Sequence, residues 1–395
     1  MSSSPVELLQ ALVRIPSVNP DGDPGTDRTG EAAMAAWLKP WLEELGFVVR
    51  LEEVQPGRPN LIARAPGSDD RPRILLGPHL DTVSVTGMTI EPFGGVIEDG
   101  KIWGRGATDT KGPMAAMLWG LHACRDLLPT LPVAIDFVGF MGEESGQWGS
   151  RDFAKNHGAD YQFAIVGEPT SLDVVYCTKG SLWATVNAEG KAAHASQPER
   201  GDNAIMKLAR TLDVMDRELR RELRQFTHPV LGPSTLNIGT ITGGTVANIV
   251  PDKAAAQLDI RMVSALTDTM PAEAFFAAFL QRHDLPLTVC NVVENPPMEI
   301  ARDHPWLEKI TSIHPASKLV GAPWFSDAAH LSAAGTPSVC VGPGSIDQAH
   351  TKDEFIPIAD LEAGAEWFTI LIQQAADLQL PPPRSSDTPP PGPTR

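Results

Sequence analysis

The sequence predicts an α/β protein, a mainly parallel sheet covered by helices on both faces and interrupted by a smaller inserted unit. Three observations carry this expectation. Short apolar runs alternate with stretches at helical spacing up to about residue 179 and again after about residue 294, the grammar of parallel strands joined by crossover helices. Between those limits the order reads β-α-β-β-α-β, a self-contained ferredoxin-like unit. Ligand-type His, Asp and Glu residues also recur just after apolar runs, at the strand ends where open α/β sheets place their ligands.

The elements follow in order. Glu31–Leu45 carries Met34, Trp37, Leu38, Trp41, Leu42 and Leu45 on one helical face, with Gly46 as a stop; Pro40 inside it predicts a kink or break. Apolar runs at 47–51, 61–65, 74–76 and 133–140 read as strands. Pro113 opens a helix whose face holds Met114, Met117, Leu118, Leu121 and Leu128. A short strand at 164–166 precedes the insert. In the insert, strands are expected at 182–188, 236–242, 254–262 and 287–293, with helices at 203–223 and 272–282. A helix near 327–334, a strand at 338–341 and a helix from about 360 to 377 close the pattern. Residues 1–179 and 294–380 thus form one domain and 180–293 a second. The tail 381–395, with Pro-Pro-Pro twice, is expected to be disordered.

Composition narrows the function. A net charge of −17 excludes a nucleic-acid partner, whose phosphates it would repel. No apolar run approaches the roughly 20 residues of a membrane span, and residues 1–10 lack the pattern of a secretion signal. The four cysteines, Cys124, Cys177, Cys290 and Cys340, show no metal-binding spacing and read as buried reduced thiols of a cytoplasmic protein.

Five motifs carry the chemistry. His79 and Asp81 lie in Gly77-Pro78-His79-Leu80-Asp81-Thr82, two apart on an extended segment, so the carboxylate is expected to orient the imidazole. Asp109 sits in a Gly-rich loop before the Pro113 helix, placed to bridge two cations. Glu143 and Glu144 follow an apolar strand; on an extended chain they point opposite ways, one toward a metal and one toward a substrate water. Glu168 ends another short strand, and His350 stands in a turn beyond Gly342-Pro343-Gly344. Each alone reads as a surface histidine, a helix cap or a solvated acid. Together they are the inventory of a two-metal hydrolytic site: one imidazole and one carboxylate per cation, a bridge and a free base. His194 follows the first strand of the insert, while His122, His157, His228, His283, His304, His314 and His330 lack partner motifs and read as structural.

Gly167-Glu168-Pro169-Thr170, Ala192-Ala193-His194-Ala195-Ser196 and Ala349-His350-Thr351-Lys352-Asp353-Glu354, in this order in one chain, resemble the di-zinc amidohydrolase and exopeptidase family of acetylornithine deacetylase, succinyl-diaminopimelate desuccinylase, carboxypeptidase G and the aminoacylases. The resemblance runs from about Val6 to the final helix. Pro78 before His79 and Thr110 after Asp109 depart from the family pattern without removing a ligand. The resemblance implies a zinc-hydrolase catalytic domain with an inserted dimerisation or lid domain. It also implies two zinc ions, with cobalt or manganese able to substitute. His79 and Glu168 would hold one, Glu144 and His350 the other, and Asp109 would bridge them. Asp81 would orient His79, Glu143 would be the general base, and His194 of a neighbouring subunit in a homodimer would stabilise the tetrahedral intermediate. Asn248 would contact substrate, and Arg261 would offer its planar fork to a substrate carboxylate. The runs 165–172 and 342–350 look most like acetylornithine deacetylase, so hydrolysis of an N-acylated amino acid, N-acetylornithine first, is the expected activity. A desuccinylase, a general N-acyl-amino-acid amidohydrolase or a glutamate-type carboxypeptidase on the same core are the alternatives. A scaffold that has lost catalysis would be expected to have lost a ligand or the base, and none is lost.

Overall fold

The structure, a computed structural model, describes residues 3–21, 30–68 and 70–377; the Pro-rich tail lies outside the described residues. The contacts divide the chain into two units, one formed by the described residues of Met1–Tyr176, Glu299–Val320 and Ser326–Arg395, the other by Cys177–Met298 with Gly321–Phe325.

The first unit is built on a nine-stranded sheet. Its centre is parallel: Ala134–Gly139 pairs Arg73–Gly77, which pairs Tyr161–Val166, which pairs Ser338–Cys340. Almost every side chain of these strands is buried, the signature of parallel strands covered on both faces. Antiparallel strands flank this centre, Val48–Gln55 on Arg58–Arg64 at one side and Val174–Thr178 at the other. The strands are therefore as expected in kind, but the sheet is mixed toward its edges. Helices Pro5–Val13, Lys111–Ala123 and Ile358–Gln374 pack on one another.

Several local expectations are corrected. Helix Ala32–Glu44 runs through Pro40 without a break. Pro40 and Ala36 are both exposed, so the carbonyl that loses its partner four residues back faces water instead of the core. The Pro113 helix starts earlier, at Lys111, and stops at Ala123, which leaves Leu128 in a separate turn, Leu128–Thr130. A three-stranded sheet of Val96–Glu98, Lys101–Trp103 and Phe355–Pro357 has strands too short to show a period in sequence. Cys290 is exposed, while the other three cysteines are buried and all four are free.

The second unit is a four-stranded antiparallel sheet in the order Thr235–Gly243, Lys253–Met262, Gly180–Glu189, Thr288–Asn295, the ferredoxin-like arrangement. Burial alternates along Gly180–Glu189 and Lys253–Met262, so one face is apolar. It packs Leu182, Val186, Leu258 and Ile260 against Leu208, Met215, Phe276 and Phe279 of the helices. Helix Ala204–Val214 is capped by Asn203, whose side chain accepts from the Met206 amide, and continues through a wider turn, Met215–Leu219. The outer half of edge strand Thr235–Gly243 is exposed, Ile241 by 58%. Among the described residues no helix is long and apolar enough to cross a membrane.

Candidate metal centre

Three neighbouring parallel strands deliver the site. Arg73–Gly77 runs into His79 and Asp81, Ala134–Gly139 into Glu143 and Glu144, and Tyr161–Val166 into Glu168. The first two loops are zipped together: the Leu80 amide donates to the Phe140 carbonyl at 2.7 Å, and the Phe140 amide to the Pro78 carbonyl at 3.0 Å. Beyond this zip Gly142 takes a left-handed conformation, φ 70°, and turns the chain into a single 3-10 turn, Glu143–Ser145. The two glutamates thus lie on a tight turn, not on an extended segment. Asp81 fixes that turn, because its carboxylate oxygens accept from the Glu143 and Glu144 amides at 3.1 Å each and from Asn19 Nδ2 at 2.6 Å.

The His79 ring is buried. Its Nδ1 meets the Asp81 carbonyl at 2.9 Å, with the Asp81 carboxylate farther off at 3.5 Å; the orienting atom is thus mainly the backbone oxygen. Its Nε2 lies 3.0 Å from Asp109 Oδ1. On the other side, His350 Nε2 is 3.4 Å from Asp109 Oδ2 and 3.2 Å from Glu144 Oε2. Asp109 therefore stands between two imidazoles with one oxygen toward each, the disposition a bridging carboxylate needs. His79, Asp109 and Glu144 present ligand atoms within 4.8 Å of one another.

Glu354 builds the loop that holds Asp109. It is fully buried, and its two oxygens accept from the Gly106, Thr108 and Asp109 amides at 2.9–3.0 Å and from Arg105 Nη1 at 2.8 Å. The sequence places Glu354 in the His350 motif but nothing local betrays this partner. On the far side, the buried Glu31–Arg58 pair (2.6 Å) braces the glutamate turn through the Gly142 amide, which donates to Glu31 at 3.1 Å. Gly149 seats the following helix so closely that a Cβ there would fall 2.5 Å from the Met141 backbone.

Burial and like charge dominate the electrostatics. Burial, with the charges of Glu168 and Glu144 nearby, pushes the Glu143 carboxyl well above its usual range. Burial and the neighbouring Asp109 push Glu144 up to about 7. Glu168 is raised by burial and Asp109, and Asp327, a buried carboxyl the sequence reading overlooked, is raised by burial to about 7. Asp109 resists its burial because His350 and His79 bond to it, and it stays below the usual range. The same contacts raise His350 to about 10 and, against burial, raise His79. Glu144 Oε1 and Glu168 Oε1 are buried without a hydrogen-bond partner. Orphaned carboxylate oxygens beside two imidazoles and a shared aspartate fit divalent cations, whose charge and lone-pair demand answer both deficits.

The remaining expected residues lie in the second unit. His194 is exposed, on a two-residue strand paired with Ile249–Val250, and its Nδ1 is 2.8 Å from Ser196 Oγ. The Ala195 amide donates to the Asn248 carbonyl at 3.0 Å, so His194 and Asn248 share one loop cluster. Arg261 differs from expectation: its Nε and Nη2 already pair with Asp259 at 2.9–3.1 Å, and its guanidinium stacks 5.0 Å over Phe325. A substrate carboxylate would meet Nη1 or compete with Asp259.

Residues 75–374 match the model of peptidase family M20/M25/M40. The chain is 32% identical over 379 residues to an acetylornithine deacetylase of Proteus mirabilis, covering 93% of this chain and 96% of that protein. It is 28% identical over 365 residues to a probable succinyl-diaminopimelate desuccinylase of Staphylococcus epidermidis, covering 84% and 90%. In structure it is similar to an M20 family metallo-carboxypeptidase from Sulfolobus solfataricus, with a TM-score of 0.78 at 19% identity over 96% of this chain and 100% of that one.

Removing metal should cost more stability as pH rises. A carboxyl with a raised folded pKa favours folding below its unfolded value, 4.5 for Glu144, and ceases to do so through about 7. His350 works in the same direction, its contribution complete below 6.5 and lost through about 10. Asp81 and Asp109, both lowered from 3.8, contribute equally at every pH above about 5. The chelator-stripped protein should therefore lose several degrees of Tm between pH 5.5 and 8 relative to the loaded protein. A gap independent of pH in paired thermal melts would contradict this account of the cluster.

Proposed function

The chain belongs to peptidase family M20/M25/M40 and is a metal-dependent amidohydrolase or peptidase; on that premise we propose that it hydrolyses the N-acyl amide of an acylated amino acid, with N-acetylornithine as substrate. Arginine biosynthesis in the cytoplasm is the setting this activity implies. The observation that carries the hydrolytic reading is Asp109, held between His79 and His350 with one carboxylate oxygen toward each. The substrate reading is supported by the 32% identity to the Proteus mirabilis protein.

His79 and Glu168 would hold one cation, Glu144 and His350 the other, with Asp109 shared. Two zinc ions there, replaceable by cobalt or manganese, would polarise the amide carbonyl and lower the pKa of a bound water toward neutrality. Glu143 would accept a proton from the attacking water and pass it to the leaving amine. Its burial suits the task, since a carboxyl pushed upward is a base matched to neutral pH. Asp81 keeps His79 and the glutamate turn in register. His194 supplies a hydrogen bond to the developing oxyanion, Asn248 beside it contacts the substrate, and Arg261 receives the substrate carboxylate. We assign delivery of His194 to a partner subunit in a homodimer, paired through the exposed outer half of strand Thr235–Gly243.

Three experiments test this reading. Glu143→Gln keeps shape but cannot accept a proton, so kcat should fall by a factor of about 1,000 with metal content intact, whereas Glu144→Gln should lose metal at one site; exchanged phenotypes would reverse the two assignments. Across N-acetylornithine, succinyl-diaminopimelate, simple N-acetyl amino acids and a glutamate-terminated dipeptide, N-acetylornithine should give the highest kcat/KM. A rank more than about tenfold lower, ~1.4 kcal/mol in transition-state binding, would move the assignment to whichever substrate leads. Mixing inactive His194→Ala and inactive Glu143→Ala subunits should restore activity, because a heterodimer then has one site with both residues. If mixing restores nothing, His194 serves its own subunit.

A further inference from the structure

Gln147 breaks two local rules at once. It occupies the N-cap of helix Trp148–His157, where a short Ser, Thr, Asp or Asn is favoured, yet its side chain makes no cap hydrogen bond. Its backbone is left-handed, φ 58°, a conformation that glycine or asparagine adopts at less cost. The side chain is also fully buried, and its Oε1 has no hydrogen-bond partner. What these costs secure is one contact: Nε2 donates to Glu143 Oε1 at 2.9 Å. The backbone of Gln147 is pinned so that the amide cannot drift. Its N–H donates to the Gly142 carbonyl at 2.7 Å, and its carbonyl accepts from the Arg151 amide at 3.1 Å and Ser150 Oγ at 3.2 Å.

From this we infer that Gln147 is a positioning residue for the reaction, locking the Glu143 carboxylate by one oxygen so that the other is aimed for proton transfer. The inference rests on the reading of Glu143 as the base. Departures from local preference that return nothing to the fold are expected where a site is being held in place. Glu143 sits on a single turn, Glu143–Ser145, too short to restrict its rotamer, and the left-handed backbone at 147 is what brings an amide donor to it from only four residues away.

Two substitutions test this. Gln147→Met keeps the unbranched length of the side chain and removes the donor. Gln147→Asn tolerates the left-handed backbone and withdraws the donor by one carbon, and it decides the matter if the methionine variant does not fold. Each should lower kcat about 10- to 100-fold, with KM within about twofold of wild type and the bound zinc, measured by atomic absorption, unchanged. Added to Glu143→Ala, either should have no further effect on the residual rate, because the residue it acts through is gone. Loss of zinc, a rise in KM at constant kcat, or a full additional loss in the Glu143→Ala background would overturn the inference in favour of a general structural role. A wild-type kcat in both variants, while Glu143→Ala is inactive, would overturn it and leave Glu143 as the base. Should Glu143→Ala itself keep its kcat, the reading of the base fails first.

Discussion

The dominating constraint is Coulombic. Asp109, Glu143, Glu144 and Glu168 converge with two imidazoles in a space where burial opposes their ionisation and neighbouring carboxylates oppose that of the three glutamates. Carboxylates so placed would drive the loops apart unless something held them, and most of the holding is done by backbone amides. Asp81 receives the Glu143 and Glu144 amides, Glu354 receives three amides of the Asp109 loop, and Glu31 receives Gly142. In each case a second, outer carboxylate fixes the main chain that carries an inner one. The inner groups are then free to offer their oxygens inward, which a side-chain cation partner would have prevented.

Much of this was legible in the sequence, and the reason is geometric. His79, Glu143 and Glu168 each follow an apolar run that ends in glycine, and such an ending marks a buried parallel strand opening into a loop. The β-α-β-β-α-β order of the insert was equally readable, because its two inner strands alternate inside and outside over ten residues each. What could not be read is whatever depends on partners remote in sequence. Glu354 meets Arg105, Gly106, Thr108 and Asp109 across 245 to 249 residues, and no local pattern announces such a pairing. Asp259 beside Arg261 is only two residues away, yet the periodicity that puts both on one face does not say that they bind each other. A strand precedes Glu143 and Glu144, which suggests an extended chain; that strand ends at Gly139, and Gly142, with its left-handed backbone, turns the chain just before them.

The insert distributes its chemistry differently from the larger unit. Its apolar face is filled by two helices, while the opposite face of the sheet carries Trp183, Thr185, Gln257 and Asp259 around an open cavity of about 410 Å³. Arg261 lies on the same strand as Asp259, stacked on Phe325, which itself meets Trp183 edge to face. An arginine so bound has its Nε and Nη2 engaged by Asp259 and its plane set against Phe325. The Nη1 edge of that planar guanidinium is the one that Asp259 does not take.

The reach of Glu354 also orders events during synthesis. The Asp109 loop is complete as peptide long before Glu354 exists, since some 245 residues separate them. At the usual 5–20 residues per second the ribosome needs roughly 12 to 50 s to cover that interval. Through that time three loop amides and Arg105 lack the carboxylate that will receive them, and His350 is also still to come. The nascent chain can therefore fold its insert and its first strands without possessing a competent centre. The set of residues gathered around Asp109 is complete only once His350 and Glu354 have been translated.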